Sequence, residues 1–343
     1  MPTPSNRYAL RGDTDLPQPD PAAAPWFSPS VDRKLLKQLM QRNDRHSLWN
    51  YGLWLALMLA SGTAGVLAWG SWWCVPAFAV YGILYASSDH RAHELSHGTP
   101  FKTRWLNEMF YQLAGFMTLH EGHYWRWSHT RHHTHTLMVG RDAEIAVQQP
   151  VSLLGLLADL FFLKSGAAQI ANIVRHAFGR ISADGLHFIP VQEQPKVVRA
   201  SRIYLAIFIA LAVACVLLQS VLPLMLVVGP RFYGGALTQL FNLTQHAGLA
   251  ENVYDHRHST RTFHTHAVFR FLYANMNYHL EHHMFPMVPY HALPQLHAAI
   301  RSECPAPATS LWDAYREILP ALLQQVKQPG YAVVRPMSVA SPE

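Results

Sequence analysis

Uncharged, apolar residues fill two long stretches of this chain and predict membrane helices. No charged residue occurs in residues 49–88, a stretch of about 40 positions that is long enough for two spans of about 20 residues each. The joint at Gly70 and Ser71 lies among tryptophans, which is typical of a tight hairpin at the membrane interface. A second apolar stretch, from Ile203 to about His246, predicts a second hairpin. We therefore expect an all-α integral membrane protein with four transmembrane helices in two hairpins.

The turn of the second hairpin fits two positions in the sequence, either Gln219–Pro223 or Gly229–Arg231. An arginine in the middle of a bilayer is costly, which favours the second position, with the Arg at the hairpin tip. Residues 151–163 are also apolar, but they are few and Asp159 interrupts them. They predict an interfacial or re-entrant helix rather than a span.

The ends of the chain are polar. Residues 1–29 are rich in Pro, Ala and Asp, and predict a flexible tail. Residues 31–45 form a basic amphipathic stretch, which is typical of a helix lying on the membrane surface or of one packed on another part of the protein. The predicted organisation is a tail and interfacial helix at 1–46, a membrane domain at 47–327 and a C-terminal tail at 328–343.

The basic residues predict the topology. All Lys and Arg residues except Arg231 lie before position 49, between 89 and 202, or after 241. By the positive-inside rule, both termini and the central segment are cytoplasmic. We expect this side to carry a cytoplasmic helical cap together with the interfacial helices. Charged residues make up only 14% of the chain, against roughly 25% in soluble domains.

Composition also excludes several classes of partner and cofactor. The net charge is +6, but the basic residues are dispersed and form no block of the kind that binds nucleic acid. Cys74, Cys215 and Cys304 lie far apart in the sequence. They predict neither a zinc ribbon, nor an iron–sulfur cluster, nor a disulfide framework.

Histidine is the unusual residue of this chain. Of its 22 histidines, nine lie between positions 90 and 135 and ten between 246 and 297. Within these windows four clusters have helical spacing, and residues three or four apart share one face of a helix. Each cluster is therefore expected to aim its side chains at one point. The candidate ligands are His93, His97, His129, His132, His133, Asn242, His246, His279, His282 and His283.

The number of candidates distinguishes between kinds of metal site. A catalytic zinc uses about three protein ligands, so ten candidates are too many for one ion and suitable for two. A solvated, metal-free histidine surface is the alternative, although burying nine imidazoles without partners would be costly. Imidazole suits iron, copper, nickel and zinc. Attack on an unactivated C–H bond of a lipid calls for a metal–oxygen oxidant, which makes iron with O2 the economical inference.

The clusters resemble those of a known family. The order H-x-x-x-H, H-x-x-H-H, N-x-x-x-H, H-x-x-H-H, threaded through two apolar hairpins, is similar to the integral-membrane fatty acid desaturases and the related alkane hydroxylases and carotenoid ketolases. The likeness covers residues 49–297 and includes Gly140, Asp142 and Glu144 after the second box. It implies a non-haem centre of two iron ions that uses O2 and two electrons. The nine histidines would be catalytic metal ligands, with Asn242 binding directly or through water.

The resemblance leaves the reaction and the substrate open. Asn275 precedes the last box and gives N-x-x-x-H-x-x-H-H, a form shared with some sphingolipid desaturases and hydroxylases. A fatty acyl chain is the default substrate, although some relatives act on carotenoids, sphingoid bases or small metabolites. The sequence encodes no electron carrier. We therefore expect a ferredoxin, a rubredoxin or a cytochrome to dock on the cytoplasmic face.

Two other classes of function fit parts of the sequence. His93, Glu94 and His97 read as the H-E-x-x-H motif of a zinc metalloprotease, with the glutamate as general base. This interpretation leaves the other three clusters unexplained. A metal-sequestering or transport protein would also display many histidines, but would show no turnover.

The remaining polar residues near the clusters carry weaker predictions. The carboxylates could orient ligand imidazoles or be ordinary surface groups; they are Glu94, Glu281, Asp89 and Asp142. Nearby histidines are expected to be outer contacts or surface residues, namely His90, His120, His123 and His135. A wet loop is expected to contain His256, His258, His264 and His266, with Arg257 and Arg261 on a solvated face or at a head group. Structural roles are expected for His291 and His297.

Overall fold

A computed structural model of the protein describes residues 7–11 and 26–337. The prediction of an all-α chain is confirmed, because these residues form helices and only three isolated β-bridges, with no strand among them. Most of the predicted N-terminal tail, and the chain after position 337, lie outside the described residues.

Eighteen α-helices follow one another in the described part of the chain. They are α1 (Arg33–Leu39), α2 (Asp44–Leu67), α3 (Cys74–Ala86), α4 (Ser88–Ser96), α5 (Arg104–Met117), α6 (Gly122–Thr134), α7 (Leu153–Asp159), α8 (Leu163–Ala177), α9 (Ala183–Phe188), α10 (Gln194–Leu217), α11 (Leu222–Leu226), α12 (Gly229–Tyr233), α13 (Gly235–His246), α14 (His256–Ser259), α15 (Ala267–Leu272), α16 (His279–Met284), α17 (Leu293–Ile300) and α18 (Leu311–Lys327). Short 3-10 turns occupy Val191–Glu193 and Arg301–Glu303.

These helices belong to two compact units. The first, which we call the histidine unit, comprises Met1–Arg42, Ser128–Leu153 and Phe241–Glu343. The second, the apolar unit, comprises Asn43–Trp127 and Leu154–Leu240. The chain passes from one unit to the other just before α2, within α6, at the start of α7 and near the middle of α13.

The two helices of the first predicted hairpin pack against each other in the apolar unit. Helix α2 begins after Asn43, whose side chain accepts a hydrogen bond from the backbone N–H of His46 at 3.1 Å. The chain reverses at Gly70, whose φ of +86° suits a residue without a Cβ. On α2, Gly62 and Gly65 allow close packing, since a Cβ on either would lie 2.9 Å from an aromatic ring of α3.

Two helices are long and apolar enough to cross a membrane. They are α2 and the segment Val191–Leu217, which contains α10. The pair α7 and α8 would make a third if it is one broken span, because its two halves meet at 71°. Helix α3 has 13 residues, and at 1.5 Å per residue it extends only about 20 Å. The described structure therefore supports two or three spans.

The preferred turn of the second hairpin was wrong. Helix α10 ends at Leu217, and Gln219 has a φ of +46°, so the chain turns at the first of the two predicted positions. Arg231 does not lie at a tip but is buried, with an ion pair to Asp89 at 2.5 Å and the ring of Phe162 at 4.2 Å. A counterion and an aromatic face thus lower the cost of burying this arginine.

The interruption at Asp159 has a local explanation. Its carboxylate accepts hydrogen bonds from the backbone N–H of Ser165 at 2.7 Å and from the Ser165 hydroxyl at 2.9 Å. These bonds satisfy the first turn of α8, while Phe162 adopts a φ of +55° between the two helices. A carboxylate within an apolar run therefore marks the bend, as either a broken span or a re-entrant loop requires.

Both predicted tails are anchored in the histidine unit where they are described. Helix α1 is shorter than the amphipathic stretch, and it buries Leu39 and packs against α17, which favours packing on the protein over a position on the membrane surface. The hydroxyl of Tyr8 donates to Glu251 at 2.6 Å. Near the C-terminus, the backbone N–H of Val333 donates to the carbonyl of Gly248 at 2.9 Å.

Candidate metal centre

Three helices bring seven candidate histidines together in the histidine unit. Helix α16 carries one H-x-x-H-H box and the C-terminal part of α6 carries the other, while His246 is the last residue of α13. Helix α13 ends there because Gly248, with a φ of +78°, reverses the backbone. The three histidines of α16 are all at least 96% buried, so they face the interior of the unit rather than water.

The first set of side chains is the four-histidine group. It consists of His132, His246, His279 and His283, whose ligand nitrogens all lie within 4.8 Å of one another. The Nε2 of His279 is 3.2 Å from that of His246 and 3.1 Å from that of His283. Residues from α6, α13 and α16 therefore converge on one point.

The second set is the three-histidine group, which consists of His129, His133 and His282. In it the Nε2 of His133 lies 3.1 Å from that of His129 and 3.2 Å from that of His282. The two groups are adjacent, since the rings of His133 and His283 stack with centroids 4.3 Å apart.

Each H-x-x-H-H box divides between the two groups, contrary to the expectation that each cluster aims at one point. In α6, His129 and His133 belong to one group and His132 to the other. In α16 the arrangement is reversed, with His282 apart from its neighbours in the box. Helix geometry explains this division, because residues at i and i+4 differ by about 40° around the axis while i+3 lies about 100° from i+4.

Hydrogen bonds between imidazoles do not explain these distances well. A neutral Nε2 atom carries either one hydrogen or one lone pair, yet in each group one Nε2 has two close Nε2 neighbours. Two nitrogens bound to one ion at about 2.1 Å lie about 3.0 Å apart at a right angle and about 3.4 Å apart at a tetrahedral angle. The observed separations of 3.1 to 3.2 Å fall within that range, so both groups fit a metal ion.

Hydrogen bonds at Nδ1 turn the lone pairs of four imidazoles inward. The Nδ1–H of His132 donates to Asp142 at 2.9 Å, that of His129 to Glu144 at 2.9 Å, and that of His246 to the carbonyl of Ser259 at 2.7 Å. His283 Nδ1 lies 3.1 Å from the hydroxyl oxygen of Thr136, which itself donates to the His132 carbonyl. With the proton on Nδ1, the Nε2 lone pair is free to bind a metal.

Burial also favours the neutral form that metals bind. Burial, followed by the neighbouring imidazoles, lowers the pKa of four of these histidines well below the ordinary value; they are His246, His279, His282 and His283. Burial also disfavours a charge on His132, but the Asp142 carboxylate outweighs this effect and raises the pKa of His132. At neutral pH most of the set is therefore uncharged and able to bind a cation.

A family comparison agrees with this geometry. The model of the family described as "Fatty acid desaturase" matches residues 71–315, which is more than half of the chain. The chain belongs to the fatty acid desaturase family. A search of curated proteins found no match.

The remaining candidate ligands of this desaturase-family chain are carried by α4 and α13. His93 is buried on α4 and His97 caps the end of that helix, with ring centroids 5.8 Å apart in the apolar unit. Asn242 is half-buried in α13. The assignment of these three residues as ligands stays a prediction.

Asn275, which gives the last box its unusual form, has a structural role. Its side-chain amide donates to the carbonyl of Tyr290 at 2.9 Å, and its backbone adopts a φ of +54°. This hydrogen bond fixes the turn before α16. The extended N-x-x-x-H-x-x-H-H pattern is thus explained by the local backbone of this family member.

Of the four carboxylates suggested to orient imidazoles, Asp142 contacts a ligand candidate in the way expected. Glu281 instead bonds His297 at 2.5 Å and Thr262 at 2.5 Å, which agrees with a structural role for His297. Asp89 pairs with Arg231 in the apolar unit. Glu144 enters the sequence pattern only as a flanking residue, and its position two residues after Asp142 is the signal that could have identified it.

The interpretation of His256 as a wet loop residue was wrong. His256 is buried, its ring stacks on Trp26 at 4.2 Å, and it lies 5.2 Å from the ring of His283. Burial, reinforced by the charge of His132, lowers the pKa of His256 to about 4. The contact between Trp26 and His256 could not be predicted, because the two residues are more than two hundred positions apart in the sequence.

Arg261 is also buried rather than on a solvated face. It pairs with Glu317 at 2.5 Å and donates to the carbonyls of Thr244 and Ala247 at 2.9 and 3.1 Å. These carbonyls belong to the C-terminal end of α13. Arg261 therefore caps the helix that presents His246. His264 and His266 are exposed, as expected of a loop.

Proposed function

We propose that this protein is an O2-dependent di-iron oxidoreductase that introduces a double bond into a fatty acyl or related lipid chain. The observation that carries the proposal is the pair of adjacent, buried imidazole groups in a chain of the fatty acid desaturase family. Two bound iron ions would supply, with O2, an oxidant strong enough for an unactivated C–H bond.

The residues that would hold the two ions follow from the groups. The four-histidine group would hold one ion. The three-histidine group would hold the other, with His93 and His97 of the H-x-x-x-H motif as its further ligands. Asn242 would complete the set directly or through water.

The chain's own residues prepare this centre. Asp142, Glu144 and the Ser259 carbonyl keep the Nε2 lone pairs of their imidazole partners directed inward, and burial keeps bulk water away. The overall reaction is R–CH2–CH2–R′ + O2 + 2e⁻ + 2H⁺ → R–CH=CH–R′ + 2H2O. A separate ferredoxin, rubredoxin or cytochrome would deliver the electrons on the cytoplasmic face, where we also place both termini.

Hydroxylation would use the same O2 and electrons but would give an alcohol and one water. Proteolysis by a zinc ion on the H-E-x-x-H motif is less well supported. The Glu94 side chain is fully buried, and one carboxylate oxygen accepts a hydrogen bond from the Thr99 hydroxyl at 2.5 Å. A general base must instead reach a water at the metal.

The test is expression in a host with a simple lipid profile, followed by mass spectrometry of lipids and metabolites and by metal analysis of the purified protein. Wild type is compared with His282→Ala and with His266→Ala, an exposed control. We expect about two irons per chain and a product with one additional double bond from wild type and the control, but not from His282→Ala. A product with a new hydroxyl group instead of a double bond would mean that the protein is a hydroxylase. Zinc in active protein, or activity in His282→Ala, would contradict the proposal.

A further inference from the structure

An open pocket of about 780 Å³ lies in the apolar unit, away from every histidine of the two groups. The first turns of α5, α6 and α10 line it, together with the next turns of α5. Three helices thus begin at this pocket, and a helix N-terminus carries a partial positive charge. The side chains that line it add to this charge and define the kind of ligand.

Three basic side chains line the pocket, namely Arg104, Arg126 and Lys196. Arg126 bonds Glu108 at 2.8 Å and Lys196 bonds Glu193 at 2.7 Å, so two of the cations are partly neutralised. Arg104 forms no ion pair within the described residues. The five charged groups leave one net positive charge, and it resides on the exposed Arg104.

The pocket also has an apolar rim. Trp105 and Met109 line it on α5 and expose 65% and 47% of their surface. Tryptophan in such a position is typical of the level at which lipid head groups meet the acyl chains. A soluble anion gains nothing from these two side chains, whereas a lipid can contact them with its glycerol backbone and the first methylenes of its chains.

The position of the pocket along α10 supports the same ligand. Lys196 lies seven residues before Ile203, where the apolar part of this candidate span begins. Seven residues correspond to about 10 Å along a helix. The head-group layer extends about 5–8 Å beyond the hydrocarbon on each side of a bilayer, so Lys196 lies at or just outside the level of the lipid phosphates.

We propose that this pocket binds the head group of an anionic glycerophospholipid, with its phosphate against Arg104 and Lys196 and its upper chains against Trp105 and Met109. This lipid site goes beyond the proposed reaction and needs neither a metal nor an electron donor. The net positive charge favours an anionic over a zwitterionic head group. The exposed aromatic rim favours a lipid over a free phosphate.

Native mass spectrometry of the full-length protein in neutral detergent tests the site. The purified protein is titrated with dioleoyl phosphatidylglycerol, dioleoyl phosphatidylcholine and dioleoylglycerol. We expect one saturable site for phosphatidylglycerol, weaker binding of phosphatidylcholine, and no saturable binding of dioleoylglycerol, which lacks the phosphate. This series uses wild-type protein alone and does not depend on the folding of a variant.

Charge variants locate the site. A basic residue near a lipid phosphate contributes about fivefold to affinity, so Arg104→Gln should weaken the first phosphatidylglycerol about fivefold and Arg104→Gln/Lys196→Gln about 25-fold. The matched control is Lys102→Gln/Arg199→Gln. Lys102 and Arg199 are exposed and lie within three residues of Arg104 and Lys196 in the sequence. The control removes the same net charge as the double pocket variant, but its residues do not line the pocket.

The other outcomes overturn the proposal. Equal weakening in the pocket and control variants would mean that only net charge attracts the lipid. Equal affinities for phosphatidylglycerol and dioleoylglycerol would remove the role of the phosphate. Displacement by an equal concentration of inorganic phosphate would assign the pocket to a free anion, and competition by a defined acidic protein would assign the surface to protein docking.

Discussion

Replacing Asp142 by asparagine is expected to weaken metal binding at the four-histidine group. The carboxylate accepts three hydrogen bonds: Oδ2 accepts from His132 Nδ1 at 2.9 Å and from the backbone N–H of Leu137 at 2.8 Å, and Oδ1 accepts from that of Glu144 at 2.8 Å. An asparagine side chain has one oxygen and one NH2 group. In any rotamer, therefore, the NH2 group of the asparagine faces at least one of the three N–H groups that now donate to Asp142.

The less costly rotamer keeps the oxygen towards His132 and loses the bond to Glu144. It preserves the proton on Nδ1 but removes the negative charge that polarises the imidazole. A hydrogen bond to a charged group contributes about 1.5–3 kcal/mol, which corresponds to about 13- to 160-fold in affinity. The opposite rotamer would place NH2 against His132 Nδ1 and move the ring proton to Nε2, directly into the metal site.

The assay is a competition titration of ferrous iron between a chelator and metal-free protein, comparing wild type, Asp142→Asn and the surface control Asp313→Asn. The expected result is a dissociation constant about 10- to 100-fold higher for Asp142→Asn and unchanged for the control. A thermal melt of the metal-free proteins separates affinity from folding. Unchanged iron affinity together with a lowered Tm would refute the reasoning, because Asp142 would then serve only the turn after α6.

Acidification below pH 6.5 should destabilise the metal-free protein, because only the unfolded chain takes up the protons of the four imidazoles with lowered pKa. Each of the four lowers the free energy of unfolding by at most about 1.4 kcal/mol per pH unit. The raised pKa of His132 affects stability only above pH 6.5. Urea titrations at stepped pH measure the effect, and a free energy of unfolding that does not change below pH 6.5 would contradict it. Trp26→Ala should lower the free energy of unfolding by about 1–2 kcal/mol. It should also speed the release of iron to a chelator, because it uncovers His256 beside His283. An unchanged release rate would show that Trp26 does not shield the centre. Arg261→Met should cost about 3–5 kcal/mol in chemical unfolding because it leaves Glu317 and two carbonyls unpaired, and a cost no greater than that of Glu317→Gln would show that the carbonyl contacts contribute little.

The kinds of residue at the centre were predictable from the sequence, but not their grouping. Spacing of three and four placed the histidines on helices and identified the boxes. It did not indicate that His132 joins two histidines of α16 and that His282 joins two histidines of α6. That pairing depends on the rotation of α6 and α16 relative to each other, which is decided by packing between residues about 150 positions apart.

Other features were invisible for the same reason. The acceptor for His246 is a backbone carbonyl, a group that every residue has, so no sequence signal marks Ser259. Arg231 was expected at a hairpin tip because its counterion, Asp89, lies 142 positions earlier. Apolar runs predicted the long helices α2 and α10 well, since each depends on a single contiguous stretch. Contacts between segments that are distant in the sequence correspond to no contiguous pattern, so they could not be predicted.

The divided boxes make the two groups dependent on each other. Helix α6 gives two imidazoles to the three-histidine group and one to the four-histidine group, and α16 gives one and two. A small shift of either helix therefore changes both donor sets at once, and neither of these two helices can adjust one group alone. The residues that fix these helices act on both groups together, as Asp142 and Glu144 do from one short turn after α6. This explains why a carboxylate pair so close in sequence is placed against two histidines that belong to different groups.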